Sequence, residues 1–335
     1  LDSLGIEIDA SVRTERLDLQ QCKLVEIAKA MYWQPKILVV DETTTALSQT
    51  GRNLLYKLMR KMADEGGSVM FISHDLDEMM EHCDAVTVLR DGNIIGSLDK
   101  EEFDGNKMKE MMVGREVSGN YYRNDNDSYE DEITLKAHCI TTRKDLLCFN
   151  LELHKGEVLG IGGLSECGMH TVGKALFGYE KILDGKVTVG AKQTVVKNPE
   201  TAIANGIAYT SKDRDHESLG LAGSIRDNIA STGYYFNRIF GPIISFGKEK
   251  KFVQNQIDTL ELKCASQYHS VNTLSGGNKQ KVVFGKWIGS EADVLILDCP
   301  TRGIDIGVKA SMYQLIYKMK KQGKSIILIS EELQN

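Results

Sequence analysis

Apolar side chains at Leu24, Ile27, Ala28 and Met31 fall at i, i+3, i+4 and i+7, the spacing of one helix face. Residues 37–40 then form an unbroken aliphatic run closed by Asp41. A run without polar alternation predicts a strand covered on both faces, as in a parallel sheet. A second helix follows, with Leu55, Leu58, Met59 and Met62 on its buried face and Gly66 at its end. Residues 69–72 predict another short buried strand. Helices alternating with buried strands imply an α/β layered domain.

The same plan returns later in the chain. Leu17 set against Leu274, an ungapped offset of 257, gives fifteen identities in sixty positions up to Leu76 and Leu333. Asp41/Asp298, Thr44/Thr301, Tyr56/Tyr313, Lys61/Lys318, Gly66/Gly323 and Ser73/Ser330 are among them. Other pairs exchange one aliphatic for another, such as Val39/Ile296 and Val40/Leu297, and the element boundaries coincide. In the second copy residues 294–297 and 326–329 are the strands, and Met312, Leu315, Ile316 and Met319 the buried helix face. A fixed long offset marks an internal repeat. The chain therefore reads as two tandem α/β domains: residues 1–123, a polar linker at 124–132, and residues 133–335. Asn, Asp, Gly and Ser dominate the stretch around the linker. The second domain opens with alternating strands, one running through Phe149, Leu151 and Leu153 to a turn at Gly156.

Composition narrows the classes of function. The 335 residues leave room for two cores at roughly 150 residues per domain. A net charge of −6 argues against nucleic acid as the main partner, since phosphate backbones select a basic face. No apolar run approaches the ~18–20 residues of a membrane span. The seven cysteines contain no C-x-x-C pair, so neither a disulfide framework nor a zinc site is expected, and a reduced, cytoplasmic setting is the default. The chain starts at Leu1 and stops at Asn335 without a closing element, which reads as a fragment.

Candidate chemistry starts with residues 274–280, Leu-Ser-Gly-Gly-Asn-Lys-Gln, ahead of a helix. Ser275 offers a hydroxyl, Gly276 and Gly277 expose backbone N–H groups, and the helix N-terminus adds partial positive charge, a combination suited to a terminal phosphate. An ordinary Gly-Gly helix start would look the same. Beyond it, at a fixed distance, comes the apolar strand that ends in Asp298.

Together these features resemble the signature motif and Walker B strand of ABC ATPases. The resemblance extends over nearly the whole chain. Its nearest form is the double-domain ATP-binding subunit of ribose/galactose/xylose-type sugar importers. Met112-Val-Gly-Arg115, Ser211-Lys-Asp-Arg214 and Asp298-Cys-Pro-Thr-Arg-Gly-Ile-Asp305 are similar to that family's MVGR, SEDR and DEPTRGVD segments. The resemblance implies two P-loop nucleotide-binding domains with ATP and Mg²⁺ sandwiched between the P-loop side of one and the signature of the other. In the first domain it implies that Asp41 holds Mg²⁺, Glu42 orients the attacking water and His74 touches the γ-phosphate. Ser275, Gly276, Gly277 and Asn278 would bind that phosphate from the signature side. Integral membrane permease subunits would be the partners, and through them an extracellular sugar-binding protein, with the subunit peripheral on the cytoplasmic face.

The second domain departs from that pattern. Gly163-Leu-Ser-Glu-Cys-Gly-Met-His-Thr171 follows the strand at 158–161, where G-x-x-x-x-G-K-[S/T] belongs. Between Gly163 and Gly168 the negative Glu166 faces the phosphates; beyond them Met169 stands at the lysine position and His170 at the hydroxyl position. Thr171 comes one residue late. After Asp298, Cys299 replaces the water-orienting glutamate, and a neutral thiol accepts hydrogen bonds weakly. Glu331 takes the register of His74. The opposing signature in the first domain carries Asp18 for serine and Gln20 for the second glycine. All the losses fall on one composite site, so one competent and one degenerate site are expected. Repeat spacing puts the first P-loop about 94 residues before Leu1, in a native chain of roughly 500 residues. A fragment without that loop is expected to be inactive alone. Two rival readings are a twin-ABC protein acting on ribosomes, against which the short acidic linker counts, and a non-hydrolysing regulator or scaffold.

Overall fold

The computed structural model describes residues 5–6, 8–73, 75–90, 92–113, 129–164, 167–236, 245–290, 292–304 and 306–331. The chain divides into two compact units, Leu1–Gly119 and Asn120–Asn335.

The first unit runs α1 (Leu19–Tyr32), β1 (Ile37–Asp41), α2 (Gln49–Asp64), β2 (Ser68–Ile72), α3 (Leu76–His82), β3 (Ala85–Arg90), β4 (Asn93–Asp99) and α4 (Gly105–Val113). β1 and β2 pair in parallel, Ile37 opposite Ser68 and Asp41 opposite Ile72. β3 and β4 form an antiparallel hairpin. Ile27, Leu38, Val40, Leu55, Leu58, Met59 and Met62 make the core between α1, α2 and the parallel pair. β1 is not covered on both faces as its apolar run predicts. Ile37 and Val39 are 68% and 57% exposed, and Met70 and Ile72 of β2 lie open as well. Alternate residues of a two-stranded pair face opposite sides, and only the side facing the helices is packed.

The second unit runs β5 (Glu130–Thr141), β6 (Phe149–Lys155), β7 (Val158–Gly162), α5 (Met169–Leu176), β8 (Asp184–Val189), β9 (Thr194–Val195), α6 (Pro199–Ala204), β10 (Ile207–Thr210), α7 (Ile225–Phe236), α8 (Phe246–Thr259), α9 (Gly276–Ile288), β11 (Val294–Asp298), α10 (Ile306–Lys321) and β12 (Ser325–Ser330). One sheet, ordered β10-β11-β12-β7, is parallel throughout. The other, ordered β6-β5-β8-β9, is antiparallel. Every residue of β11 is buried, so here the unbroken apolar run does sit inside a covered sheet.

Helix, strand, helix and strand recur with the 257-residue offset. α1 and α9 start at Leu19 and Gly276, β1 and β11 at Ile37 and Val294, α2 and α10 at Gln49 and Ile306, and β2 and β12 at Ser68 and Ser325. The register recurs too, with Ile37 opposite Ser68 and Val294 opposite Ser325.

Two more sequence expectations change in the second unit. β5 opens at Glu130, inside the stretch read as linker, because Glu130 pairs with Lys155 of β6 through the backbone register and an ion pair of 3.0 Å. Residues 124–128 lie outside the described residues. A disulfide also joins Cys139 and Cys148, contrary to the reading of the cysteines as unpaired. Antiparallel pairing of β5 with β6 folds residues nine apart onto each other. A search for C-x-x-C spacing cannot see such a pair.

Candidate functional site

The backbone takes the same uncommon shape at both strand exits. After Asp41, Glu42 has φ of 44°, and its N–H donates to the carbonyl of Ile72 at 3.0 Å. After Asp298, Cys299 has φ of 48°, and its N–H donates to Ile329 at 2.9 Å. Left-handed backbone costs a residue with a side chain about 1–2 kcal/mol, and strain of this kind clusters at functional sites. Asp41 and Glu42 are exposed, whereas Asp298 and Cys299 are buried.

Behind the first strand exit lies Glu78, a residue the sequence reading passed over. It is 7% exposed. Its Oε2 accepts from the hydroxyls of Thr44 at 2.9 Å and Ser73 at 3.0 Å, and its Oε1 pairs with Nη1 of Arg52 at 3.3 Å. Arg52 also donates from Nε to the carbonyl of Thr44 at 3.0 Å. The Asp75 carboxylate caps α3 by accepting from the N–H groups of Asp77 and Glu78. His74 itself lies outside the described residues, but both its neighbours are tied into this network. Burial, then the nearby Glu78, raises the Tyr56 phenol above its ordinary pKa. The legible signal was an acid at the third helical position after Asp75, a capping arrangement.

In the second unit Gly168, with φ of +88°, caps α5 at the end of the phosphate-loop segment that begins with Gly163. Met169 turns into the apolar core and is 2% exposed. His170 points the other way. Its Nδ1 lies 2.7 Å from Oδ1 of Asp298 and its Nε2 3.3 Å from Oε1 of Glu331. Lys212 Nζ lies 2.6 Å from the same Glu331 oxygen and 3.2 Å from His170 Nε2. The second oxygen of Asp298 accepts from the Tyr209 hydroxyl at 3.3 Å. The Thr171 hydroxyl donates to Asp145 at 2.5 Å. Glu166 lies outside the described residues.

Charge follows this geometry. Burial alone would lower the His170 pKa, but hydrogen bonds to Asp298 and Glu331 outweigh it and hold the ring above its ordinary value. His170, opposed by burial and aided by Lys212, keeps the Glu331 carboxyl far below the usual range. Burial, followed by the charge of Asp298, pushes the Cys299 thiol up to about 12.

The helices α9 and α1 start differently. Ser275 caps α9, its oxygen accepting from the backbone N–H and side-chain Nδ2 of Asn278. Asn278 also accepts from the N–H of Lys263 at 3.1 Å, so its amide is held within the loop. A Cβ on Gly276 would come within 3.0 Å of the Arg214 guanidinium and 3.3 Å of the Gly303 carbonyl. Gly277 is buried against Val308. At α1 the cap is Asp18, whose carboxylate accepts from Gln21 N–H at 2.7 Å while Gln21 accepts from Asp18 N–H at 3.1 Å. A fixed negative charge therefore already occupies the positive end of α1. Gln20 accepts from the N–H of Ser48 at 3.1 Å. Of the other motif segments, Gly114, Arg115 and Asp305 lie outside the described residues.

The ABC transporter family profile matches residues 146–302. The chain is 34% identical to a ribose import ATP-binding protein RbsA of Caldanaerobacter subterraneus, over 99% of this chain and 67% of that protein. The chain belongs to the ABC transporter ATP-binding family. The RbsA protein of Bacillus cereus is 34% identical over 333 residues, 99% of this chain and 66% of its own length. A putative ribose/galactose/methyl galactoside import ATP-binding protein of Agrobacterium fabrum is 35% identical with the same coverage. The chain thus spans about two thirds of the length of these curated relatives. Among solved structures, a post-hydrolysis dimer of the ATP-binding cassette MJ0796 with ADP and Pi aligns with TM-score 0.52 and 19% identity, over 59% of this chain and 88% of that one. A second dimeric MJ0796 structure, a bacterial ABC transporter cassette, gives 0.51 and 18% with the same coverage. The fold is that of an α/β P-loop ABC nucleotide-binding domain. Among the described residues no helix is long and apolar enough to cross a membrane.

ABC domains bind ATP, and Mg²⁺ is the cation the fold implies. The second unit's residues do not fit that pair. One oxygen of Asp298 is held by His170 and the other by Tyr209, while Met169 is withdrawn into the core. A hydroxyl ligand for Mg²⁺ is missing at 170, and the hydroxyl at 171 is committed to Asp145. In the first unit Asp41 and Glu42 present exposed carboxylates, the hard oxygen donors that Mg²⁺ favours.

Proposed function

We propose that this chain is part of the ATP-hydrolysing subunit of an importer for a ribose-like monosaccharide, with one competent and one degenerate ATP site. Asp41 is the Mg²⁺ ligand, Glu42 orients and polarises the attacking water, and His74 contacts the γ-phosphate. In the second unit Ser275, Gly276 and Gly277 offer donors suited to a nucleotide phosphate, with Asn278 holding Ser275 in place. Mg²⁺, when bound, neutralises charge on the phosphate oxygens. The partners are membrane permease subunits and, through them, an extracellular sugar-binding protein; the site of action is the cytoplasmic face of the membrane.

The observation that carries this reading is the contrast between matched strand exits. Glu42 and Cys299 share one left-handed backbone conformation, yet only Glu42 brings a carboxylate. The names of the relatives support the sugar. In the intact polypeptide with its permease, Glu42→Gln is expected to retain ATP binding and lower turnover at least a hundredfold, while Cys299→Ala changes turnover less than twofold. Equal losses from both substitutions would refute the asymmetry, and absence of hydrolysis in the unsubstituted protein would favour a regulatory scaffold.

A further inference from the structure

We propose that His170, Cys299 and Glu331 form a binding site for one zinc-class divalent ion in the second unit. The three residues replace, position for position, those an ABC domain would turn toward Mg²⁺, water and γ-phosphate. They come from the first turn of α5 and from the residues just after β11 and β12, and their ligand atoms all lie within 4.8 Å of one another. Zinc bonds of about 2.0–2.3 Å set ligand atoms of a tetrahedral site roughly 3.3–3.8 Å apart. Side-chain movements of about 1 Å close the difference.

The donor set decides the class of ion. One imidazole, one thiolate and one carboxylate suit zinc, where Mg²⁺ and Ca²⁺ demand an all-oxygen shell. Three protein ligands leave a fourth position for water. Asp298 supplies the outer shell. Its carboxylate, fully buried, holds Nδ1 of His170 at 2.7 Å and so presents Nε2 to the cluster, the carboxylate–histidine arrangement that orients metal-bound rings.

Lys212 shows that this spot already attracts a cation. Its ammonium contacts both Glu331 and His170 Nε2, and with 26% of its side chain exposed it has a route to solvent. A metal ion and this ammonium compete for the same oxygen and nitrogen. Binding displaces to solvent the Cys299 thiol proton and, from the imidazolium form that Asp298 and Glu331 favour, the proton on Nε2 of His170.

The site draws on none of Asp41, Glu42 and His74, so it can fail while the proposed hydrolysis stands, and the reverse. The test is titration of the chain, with its free thiols kept reduced, by Zn²⁺ alone against a chromophoric chelator, followed by Co²⁺ absorption spectra. One ion per chain is expected. Cys299→Ser, His170→Ala and Glu331→Gln should each weaken binding at least tenfold, and Lys212→Ala should tighten it several-fold. The thiolate-to-cobalt charge-transfer band should vanish in Cys299→Ser and persist in Cys167→Ser, a readout that loss of packing does not imitate. Far-UV circular dichroism confirms that each variant is folded; if His170→Ala is not, Cys299→Ser and Lys212→Ala decide between the outcomes. The proposal is overturned if no zinc binds, if the cobalt band survives in Cys299→Ser, or if Lys212→Ala fails to tighten binding.

Discussion

The Nδ1 of His170 lies 2.7 Å from Oδ1 of Asp298, across 128 residues of sequence. That contact joins the first turn of α5 to the end of β11 in one internal ion network. Glu331 and Lys212 extend it.

Its pH dependence has two sides. The lowered pKa of Glu331 adds stability above the ordinary 4.5, lost as pH falls through the folded value. The raised pKa of His170 adds stability below the ordinary 6.5, lost as pH rises through the folded value. Both contributions are complete only between those ordinary values. In chelator, thermal melts should show Glu331→Gln and His170→Ala most destabilising near pH 5.5. The Glu331 effect should shrink in acid and the His170 effect in alkali. A loss of about 1–2 kcal/mol corresponds to roughly 2–8 °C for a unit of this size.

Glu78 should matter more than its neighbours' exposure implies. Removing it leaves Arg52 and two hydroxyls facing a buried gap, so Glu78→Ala should cost the first unit about 2–3 kcal/mol. Glu78→Gln should cost less, because an amide oxygen still accepts from Thr44 or Ser73. Denaturant unfolding of the two variants separates the outcomes.

Gly276 has little space for a side chain. Gly276→Val would drive a branched side chain into Arg214 and the Gly303 carbonyl, shifting the start of α9. ATP turnover of the intact polypeptide should fall at least tenfold, with a stability loss of about 1–3 kcal/mol. Gly276→Val with Arg214→Ala should recover part of the stability but not the turnover.

Thiol counting tests the disulfide. Of seven cysteines, Cys139 and Cys148 are bonded, so the denatured, unreduced chain should show five reactive thiols and the reduced chain seven. Closing so short a loop contributes roughly 2–3 kcal/mol, so reductant should lower the melting temperature of the second unit.

Periodicity made the helices and the Asp-ended strands legible, because amphipathic spacing and unbroken aliphatic runs are local signals. The 257-residue offset carried those signals from one stretch to the other, down to the register of Ile37 with Ser68 and Val294 with Ser325. In the sequence Met169, His170 and Cys299 stood out only as departures from a phosphate-binding pattern. What they build was not legible, since His170, Cys299 and Glu331 meet only through the order of the parallel sheet. The same holds for Glu78, whose partners Thr44 and Arg52 sit on other elements. The exposed side of β1 was missed for another reason: a hydrophobic run records what a strand can bury, not what lies against it.

The kink that follows each of these strands behaves as a socket. Its main chain is held by a hydrogen bond to the adjacent strand, whatever side chain is plugged in, and glutamate and cysteine both fit it. The backbone therefore sets no preference between glutamate and cysteine; the surroundings do, and position 299 is buried beside the Asp298 carboxylate while position 42 is open.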